Sequence, residues 1–514
     1  MTTRAPSAPV AAEGSAPARW HRLDRRMLLI RPVLDVVRSL PVLVGALFLG
    51  HGSYWQWIGL VATGVTVAVG ISHCLTSRYR ITETQVEWRT GLVLRKHRAV
   101  PRDRIRTVDV VSEPKHRLFS LAAVRIGTGR HAHGKGPVKD ELILDAVTRS
   151  EAARLRTLLL HRKPVTEESA AGPAETVLAT VDKRWLRYAP FTLSGIAVVG
   201  AVLGATYHFA HELHFDPARY GPIRELTRRA LEQPVWLTVL VAAVGLLALV
   251  SVLSVGGYAL SFWNFRLTRE PGGTLHIRRG LVTTRSVSIE ENRLRGAELK
   301  EPLPLRMVGG AKCVAMATGL HEADRGGGLL LPPAPVARAH EVAAAVIGED
   351  LANVPLTRHP QRARTRRITR AVTGVLVLAA TLFGLAQLGV LPNWPWQAAP
   401  VLLPFAVLIG LDRYRTLGHA ITGRYLVTRS GSLARATVAV RRDGLTGIVL
   451  EQSLFQRRAG LLTVLAPIAA GRGHYRVLDV GEAEGVSLAD AVQPGLLTPF
   501  LVPDSRAVEE ETRG

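Results

Sequence analysis

Histidine is the residue type whose spacing first suggests chemistry in this chain. His208, His211 and His214 recur at every third position, which keeps them near one helical face, with Glu212 and Asp216 close by. Imidazole and carboxylate donors at such spacing are zinc-type ligands. The pattern offers no defined fourth ligand, so the expectation is a set of interfacial histidines at the outer end of a membrane helix. His131 and His133 sit in GRHAHGKG, where glycine and charge predict an exposed hairpin tip. Cys74 and Cys313 are the two cysteines and fall in different modules, so neither a disulfide framework nor a thiolate metal site can be built from them. No nucleophile motif, phosphate-cradling loop or dinucleotide fingerprint is present. The reading is a chain that is not an enzyme and needs no cofactor or metal.

Arginine and lysine form the other chemical group. Arg95, Lys96, His97 and Arg98 make a basic run just after Gly91, and Arg285 and Arg435 fall at nearly the same place after Gly280 and Gly431. Arg117, Arg306 and Arg457 each lie 26 residues after one of those glycines. Near an anionic leaflet each such residue contributes about 1 kcal/mol, enough for a few per module to hold it against the bilayer. The competing reading is that they are solvated strand ends or satisfy turns within the fold. Lys plus Arg is 65 against 41 Asp plus Glu, a formal charge of +24, which suits nucleic acid or an anionic membrane. The apolar segments described next decide for the membrane and against nucleic acid.

These side chains must be positioned by a module that the chain writes three times. Measured from Gly91, Gly280 and Gly431, a threonine precedes by nine residues in two copies (Thr82, Thr422) and by twelve in the middle one (Thr268). Ile105, Leu294 and Leu445 follow by 14, and the copies close with Thr128-Gly129, Thr318-Gly319 and Ala470-Gly471. Within each copy, short β-branched and aromatic runs alternate with charge and break at glycine, which predicts strands and hairpins. Two copies end in a helical pattern, RSEAARLRTLLLHR and VARAHEVAAAVIG.

Each copy follows a pair of apolar stretches. The predicted order is a basic, disordered tail (1–32), transmembrane hairpin 1 (33–73), module 1 (74–163), linker (164–187), hairpin 2 (188–262) with outer loop 208–234, module 2 (263–350), basic linker (351–370), hairpin 3 (371–412), module 3 (413–502) and polar tail (503–514). A helix needs about 20 residues to cross a hydrocarbon core about 30 Å thick. Six crossings place both termini and all modules on one side. The outer turns at 51–57 and 392–397 carry no Lys or Arg, and the 208–234 loop balances four charges of each sign, so the modules are expected in the cytoplasm. Asp35 and Arg38 lie at the end of the first arm, and the other five arms contain no Asp, Glu, Lys or Arg. Such interiors read as anchors rather than a transport path.

The order of apolar hairpin, Tyr-x-Ile-Thr, Arg-x-Gly-Leu, basic residue and closing Thr-Gly resembles the bacterial membrane proteins with pleckstrin-homology-like (PH-like) domains, the bPH2 or YdbS/YdbT-like class. The first copy carries it in Tyr79, Ile81, Thr82, Arg89, Gly91, Leu92, Arg95, Ile105, Arg117, Leu118, Leu121 and LILDAVTRSEAARLR. The third carries it in Ile421, Thr422, Arg429, Gly431, Leu433, Arg435 and QRRAGLLTV. The middle copy departs, with Phe265 for the tyrosine, an insertion around Pro271-Gly272-Gly273 and RMVGGAKCV for the leucine-rich strand. The resemblance implies a membrane α+β protein: six transmembrane helices in three hairpins, each followed by a curved antiparallel sheet closed by a C-terminal helix. It further implies a bacterial inner-membrane scaffold or adaptor in envelope maintenance. The modules would meet anionic lipid headgroups or dock a protein, among them another PH-like membrane protein. The alternative is a complex handling lipids or peptides and giving resistance to membrane-active compounds.

Overall fold

The computed structural model describes residues 53–91, 95–105, 107–127, 142–160, 175–192, 232–318 and 328–497, together with isolated positions in 20–36 and 197–229 and at 499. The chain divides into two compact units, Met1–Val165 and Thr166–Gly514.

In the first unit, helix α1 (Ser53–Thr76) leads into a three-stranded meander, β2 (Arg78–Ile81), β3 (Gln85–Thr90) and β4 (Lys96–Pro101). A single turn at Arg102–Arg104 then redirects the chain into a second antiparallel set. This comprises β5 (Thr107–Ser112), β6 (Leu121–Gly127) and β7 (Leu142–Thr148), with a short helix α2 (Pro114–Leu118) between the first two. Helix α3 (Arg149–Leu160) closes the module. Val86, Ile105, Val124, Ile126, Leu144 and Leu155 are buried together, so the strand faces and the helix stripe meet in one core. The 1–32 stretch, expected to be a disordered tail, contributes order here. His21–Arg22 (β1) pairs with β2, and Met27 packs on Leu121 and Ala146.

The second unit repeats this plan twice. Module 2 runs β9 (Arg266–Glu270), β10 (Thr274–Arg279), β11 (Thr284–Glu290), β12 (Leu294–Pro302), β13 (Gly310–Ala317), β14 (Leu329–Pro335), with short helix α5 (Leu303–Met307) and closing helix α6 (Val336–Ile347). Module 3 runs β15 (Gly418–Ile421), β16 (Tyr425–Ser430), β17 (Ala434–Arg441), β18 (Val449–Glu451), β19 (Leu461–Pro467), β20 (His474–Gly481), with short helix α9 (Leu454–Arg458) and closing helix α10 (Glu482–Val492). Strand β12 pairs with β17 from Gly296↔Val440 to Pro302↔Ala434, fusing the two modules edge to edge. One apolar core runs through this seam, from Leu299 and Ala297 into Val427 and Ala439.

Three helices among the described residues are long and apolar enough to cross a membrane: α4 (Val235–Phe262), α7 (Gln361–Gln387) and the stretch Pro395–Arg415 that contains α8 (Ala399–Arg415). The expected six crossings in three hairpins are not what the structure supports. Stretch 33–50 lies almost wholly outside the described residues, and the apolar part of α1 is the shorter Gly59–Ser72. Tyr188, read as the start of an arm, is instead a core residue. The turn Lys183–Phe191 buries Trp185, Tyr188 and Ala189 in module 2, since its large apolar side chains face the sheet and its basic ones face away. The linker at 164–187 likewise holds β8 (Thr176–Thr180), which pairs with β9. The basic approach 361–370 is the first part of α7 rather than a connector.

Candidate membrane-facing site

The anchor glycines recur because of where their turns sit. Gly91, Gly280 and Gly431 have φ of 106, 101 and 99°. A Cβ would lie 2.0 Å from the Thr283 carbonyl oxygen at Gly280 and 2.2 Å from that of Ala434 at Gly431. Only glycine fits this turn. In every module the turn is also tied to the end of the preceding helix. Gly91 N–H donates to Thr76 Oγ1 (3.1 Å), Gly280 N–H to the Trp263 carbonyl (2.9 Å), and Thr416 Oγ1 donates to the Gly431 carbonyl (2.5 Å). The middle turn goes further, with Leu281 N–H donating to the Leu260 carbonyl inside the last turn of α4 (2.9 Å). The glycine turns therefore lie at the ends of the helices that carry the modules.

The short helix between fourth and fifth strands reaches the same level in modules 2 and 3. On α5, Arg306 pairs with Asp412 (3.0 Å), the first charged residue after the apolar run of α8. Ser432 Oγ donates to the same carboxylate (2.6 Å). On the α9 side, Ser453 Oγ accepts from Arg366 near the start of α7.

A third contact forms at the last strand, which carries a bulge in each module. Asp24 N–H donates to the Ala146 carbonyl (3.1 Å) in module 1, and Tyr258 OH to the Pro333 carbonyl (2.8 Å) in module 2. In module 3 the bulge residue is Asp479, wholly buried and at φ 59°. It ion-pairs with Arg366 and Arg367 of α7 and accepts from Gln456 Nε2 (2.9 Å). These residues escaped the sequence reading. The only signal was one carboxylate inside the apolar run YRVLDV.

Beside Asp479 lies a buried histidine pair. His359 Nδ1 is 3.1 Å from the Asp479 carbonyl, which can only accept, so Nδ1 carries the proton. His419 Nδ1 then donates to His359 Nε2 (3.2 Å), and His419 Nε2 faces Glu484 Oε1 at 3.7 Å. Burial pushes both imidazoles below the ordinary range, and at His359 it outweighs the opposing charges of Glu484 and Asp479. The folded state thus binds fewer protons than the unfolded chain. The stability it confers is complete above the unfolded value of about 6.5 and is lost as pH falls below it. We expect the melting temperature of the purified chain to drop between about pH 7 and 5.5. The slope should flatten in His359→Gln and His419→Gln, and an equal slope in both would refute the assignment.

The basic residues singled out by spacing divide into groups. Arg95, just before β4, and Lys96 and Arg98 on it are exposed, and Arg117 and Arg457 are exposed on α2 and α9. Arg285 is half-buried at the start of β11. Arg306 and Arg435 are committed within the fold, Arg306 to Asp412 and Arg435 to the buried Glu301 across the seam. Lys300 and Arg472 flank Glu298 in the same seam (3.2 and 3.0 Å). His97 faces Glu87, whose carboxyl the Arg80 guanidinium holds below the usual range. Thr82 and Thr422 close equivalent turns through Gln85 and Tyr425. Thr268 does not, since it is buried in β9 opposite His276, and Glu270 takes the turn position. Among the described residues no three His, Cys, Asp or Glu come together to hold a metal. His131, His133, His211 and His214 lie outside those residues. A cleft of about 830 Å³ at the far end of module 3 is lined by Arg424, Arg441, Arg442 and Leu496. Its Arg441 is paired with Asp443, and Arg442 donates to the Val492 carbonyl.

The sequence pattern of the family described as Bacterial PH domain matches residues 35–163 and 373–493. Those two regions are similar to bacterial PH domains. The middle module lies outside those matches yet repeats the strand order. The chain is also similar to the UPF0699 transmembrane protein YdbT of Bacillus subtilis (strain 168), 21% identical over 494 residues, covering 91% of this chain and 97% of that protein. No solved structure matches. The three candidate membrane helices are consistent with a membrane protein such as that relative.

Proposed function

We propose that this is a non-enzymatic scaffold and lipid-surface adaptor of the bacterial inner membrane, with its PH modules and both termini in the cytoplasm. The observation that carries the reading is the tether of each anchor-glycine turn to the end of a supporting helix. That tether supports a position near the headgroups for the basic residues following each turn, Arg95, Lys96 and Arg98 in module 1 and Arg285 in module 2. An anionic leaflet would draw them by about 1 kcal/mol each, and salt would weaken the attraction. A role in envelope maintenance, supported by analogy to the family, follows from a surface permanently held against the bilayer. A complex with another PH-like membrane protein is the second reading, favoured by the β12–β17 pairing, which is one PH module joined edge to edge with the next.

Hydrogen exchange on the full chain in nanodiscs tests the lipid reading. Segment 95–101 should exchange more slowly in phosphatidylglycerol than in phosphatidylcholine, with the difference removed by high salt and by the triple change Arg95→Gln, Lys96→Gln, Arg98→Gln. Identical exchange in both lipids would refute it.

A further inference from the structure

Several large apolar side chains stay exposed at one end of modules 2 and 3. Leu281 and Val282 in the glycine turn of module 2 are 37 and 44% exposed, and Leu433 in that of module 3 is 54% exposed. Met307 at the end of α5 is 78% exposed, and Leu454 and Phe455 on α9 are 62 and 70% exposed. A soluble surface has no use for such residues at turn tips, and several together mark an interaction site.

Their position says what covers them. The amide of Leu281 is bonded to the Leu260 carbonyl inside α4, and Arg279 lies over the Phe262 ring at 5.5 Å. Leu433 and Met307 each adjoin a residue bound to Asp412, which directly follows the apolar run of α8. Leu454 and Phe455 follow Ser453, which is bonded to Arg366, four residues before the last charge of α7 at Arg370. Four residues of helix rise about 6 Å, comparable to the headgroup layer, which is about 5 to 8 Å deep on each side of the core. All three groups are thus fastened by hydrogen bonds or ion pairs to helix positions in or beside that layer. Cationic Arg457 and Arg458 accompany the α9 pair, the mixture that interfacial segments use.

We infer that the glycine turns of modules 2 and 3 and the short helices α5 and α9 are membrane-inserting elements, which seat Leu281, Val282, Met307, Leu433, Leu454 and Phe455 at the boundary of lipid headgroups and acyl chains. The partner is the lipid surface itself, engaged by apolar contact rather than charge. This rests on the proposed apposition of the modules to the bilayer and deepens it.

The test uses the full chain in lipid vesicles. On a Cys74→Ala background, Val282→Cys, Leu433→Cys and Phe455→Cys are labelled one at a time with an environment-sensitive fluorophore. Cys313 is fully buried, its thiol pushed up to about 12, and stays unlabelled in the folded chain. Gly423→Cys serves as the control. A side chain there meets nothing within 4 Å, and it lies at the far end of β16, about 20 Å from the Leu433 turn. Lipids carrying a nitroxide near the headgroup should quench the three labels at least twofold, equally at low and high salt, and leave the control bright. Quenching at two or three positions supports the inference, and quenching at one or none overturns it. If the labels fail while anion-dependent protection of 95–101 persists, insertion alone is wrong; if both fail, the lipid-surface reading falls too.

Discussion

Asp479→Ala is expected to unfold the 461–492 half of module 3 in a chain whose other modules remain folded. The side chain is completely buried, and the guanidiniums it faces, Arg366 and Arg367, are only 14 and 12% exposed. Removing one partner of a buried ion pair costs about 3 to 5 kcal/mol, because the remaining charge is left without compensation. Here two cations are left. Alanine also accepts φ 59° less readily than aspartate, adding about 1 to 2 kcal/mol. The sum is comparable to the whole stability of a domain, about 5 to 15 kcal/mol. Asp479→Asn separates the causes, since asparagine tolerates the backbone and can keep Gln456 as a partner but cannot neutralise the arginines. It should lose most of what alanine loses. Adding Arg366→Leu and Arg367→Leu to Asp479→Ala should restore part of the stability, because apolar replacement of a buried ionic cluster is often neutral or better. Hydrogen exchange over 461–492 in the purified chain reads all of these. Native-like protection in the alanine variant would remove the network from the account of stability.

The repeat was legible because its anchors are steric. A carbonyl about 2 Å from any Cβ leaves one residue type at Gly280 and Gly431, and that requirement survives wherever the turn survives. Arg117, Arg306 and Arg457 share an offset because all three lie on the same short helix, although each side chain found its own use. Hydropathy identified α4 and the α7–α8 pair, whose runs lack charge. It could not separate a bilayer from a protein core, so Tyr188 was assigned to the wrong solvent. The 164–187 stretch hid β8, because five residues of TVLAT are too few to stand out from polar neighbours. Asp479 and its arginines are 113 and 112 residues apart in sequence. No local pattern encodes a contact at that separation. Glu298 and Glu301 presented the same difficulty: an acidic residue on a strand reads as solvated until the neighbouring module covers it.

That covering makes the seam between modules 2 and 3 sensitive to one atom. Gly296 stands opposite Val440 in the β12–β17 ladder with φ 151°, and a Cβ there would meet the Ala439 carbonyl oxygen at 1.9 Å and Met316 Cε at 2.5 Å. Methionine can swing away, whereas a backbone carbonyl in a paired strand cannot. Gly296→Val must therefore push β17 outward by more than 1 Å, which a ladder of seven residue pairs absorbs only by breaking. The ion pairs across it are strained by the same movement. Glu301 with Arg435 and Glu298 with Arg472 hold carboxylates that are 5 and 4% exposed, so water enters as soon as the strands part. Exchange of the amides in 434–441 should rise at least tenfold, equivalent to about 1.4 kcal/mol of lost protection, while 461–467, inside module 3 and away from the seam, changes little. Unchanged exchange in 434–441 would show that the modules are held together by their helices and that strand pairing is incidental. A rise confined to that segment would make the β12–β17 ladder the joint through which one module fixes the next.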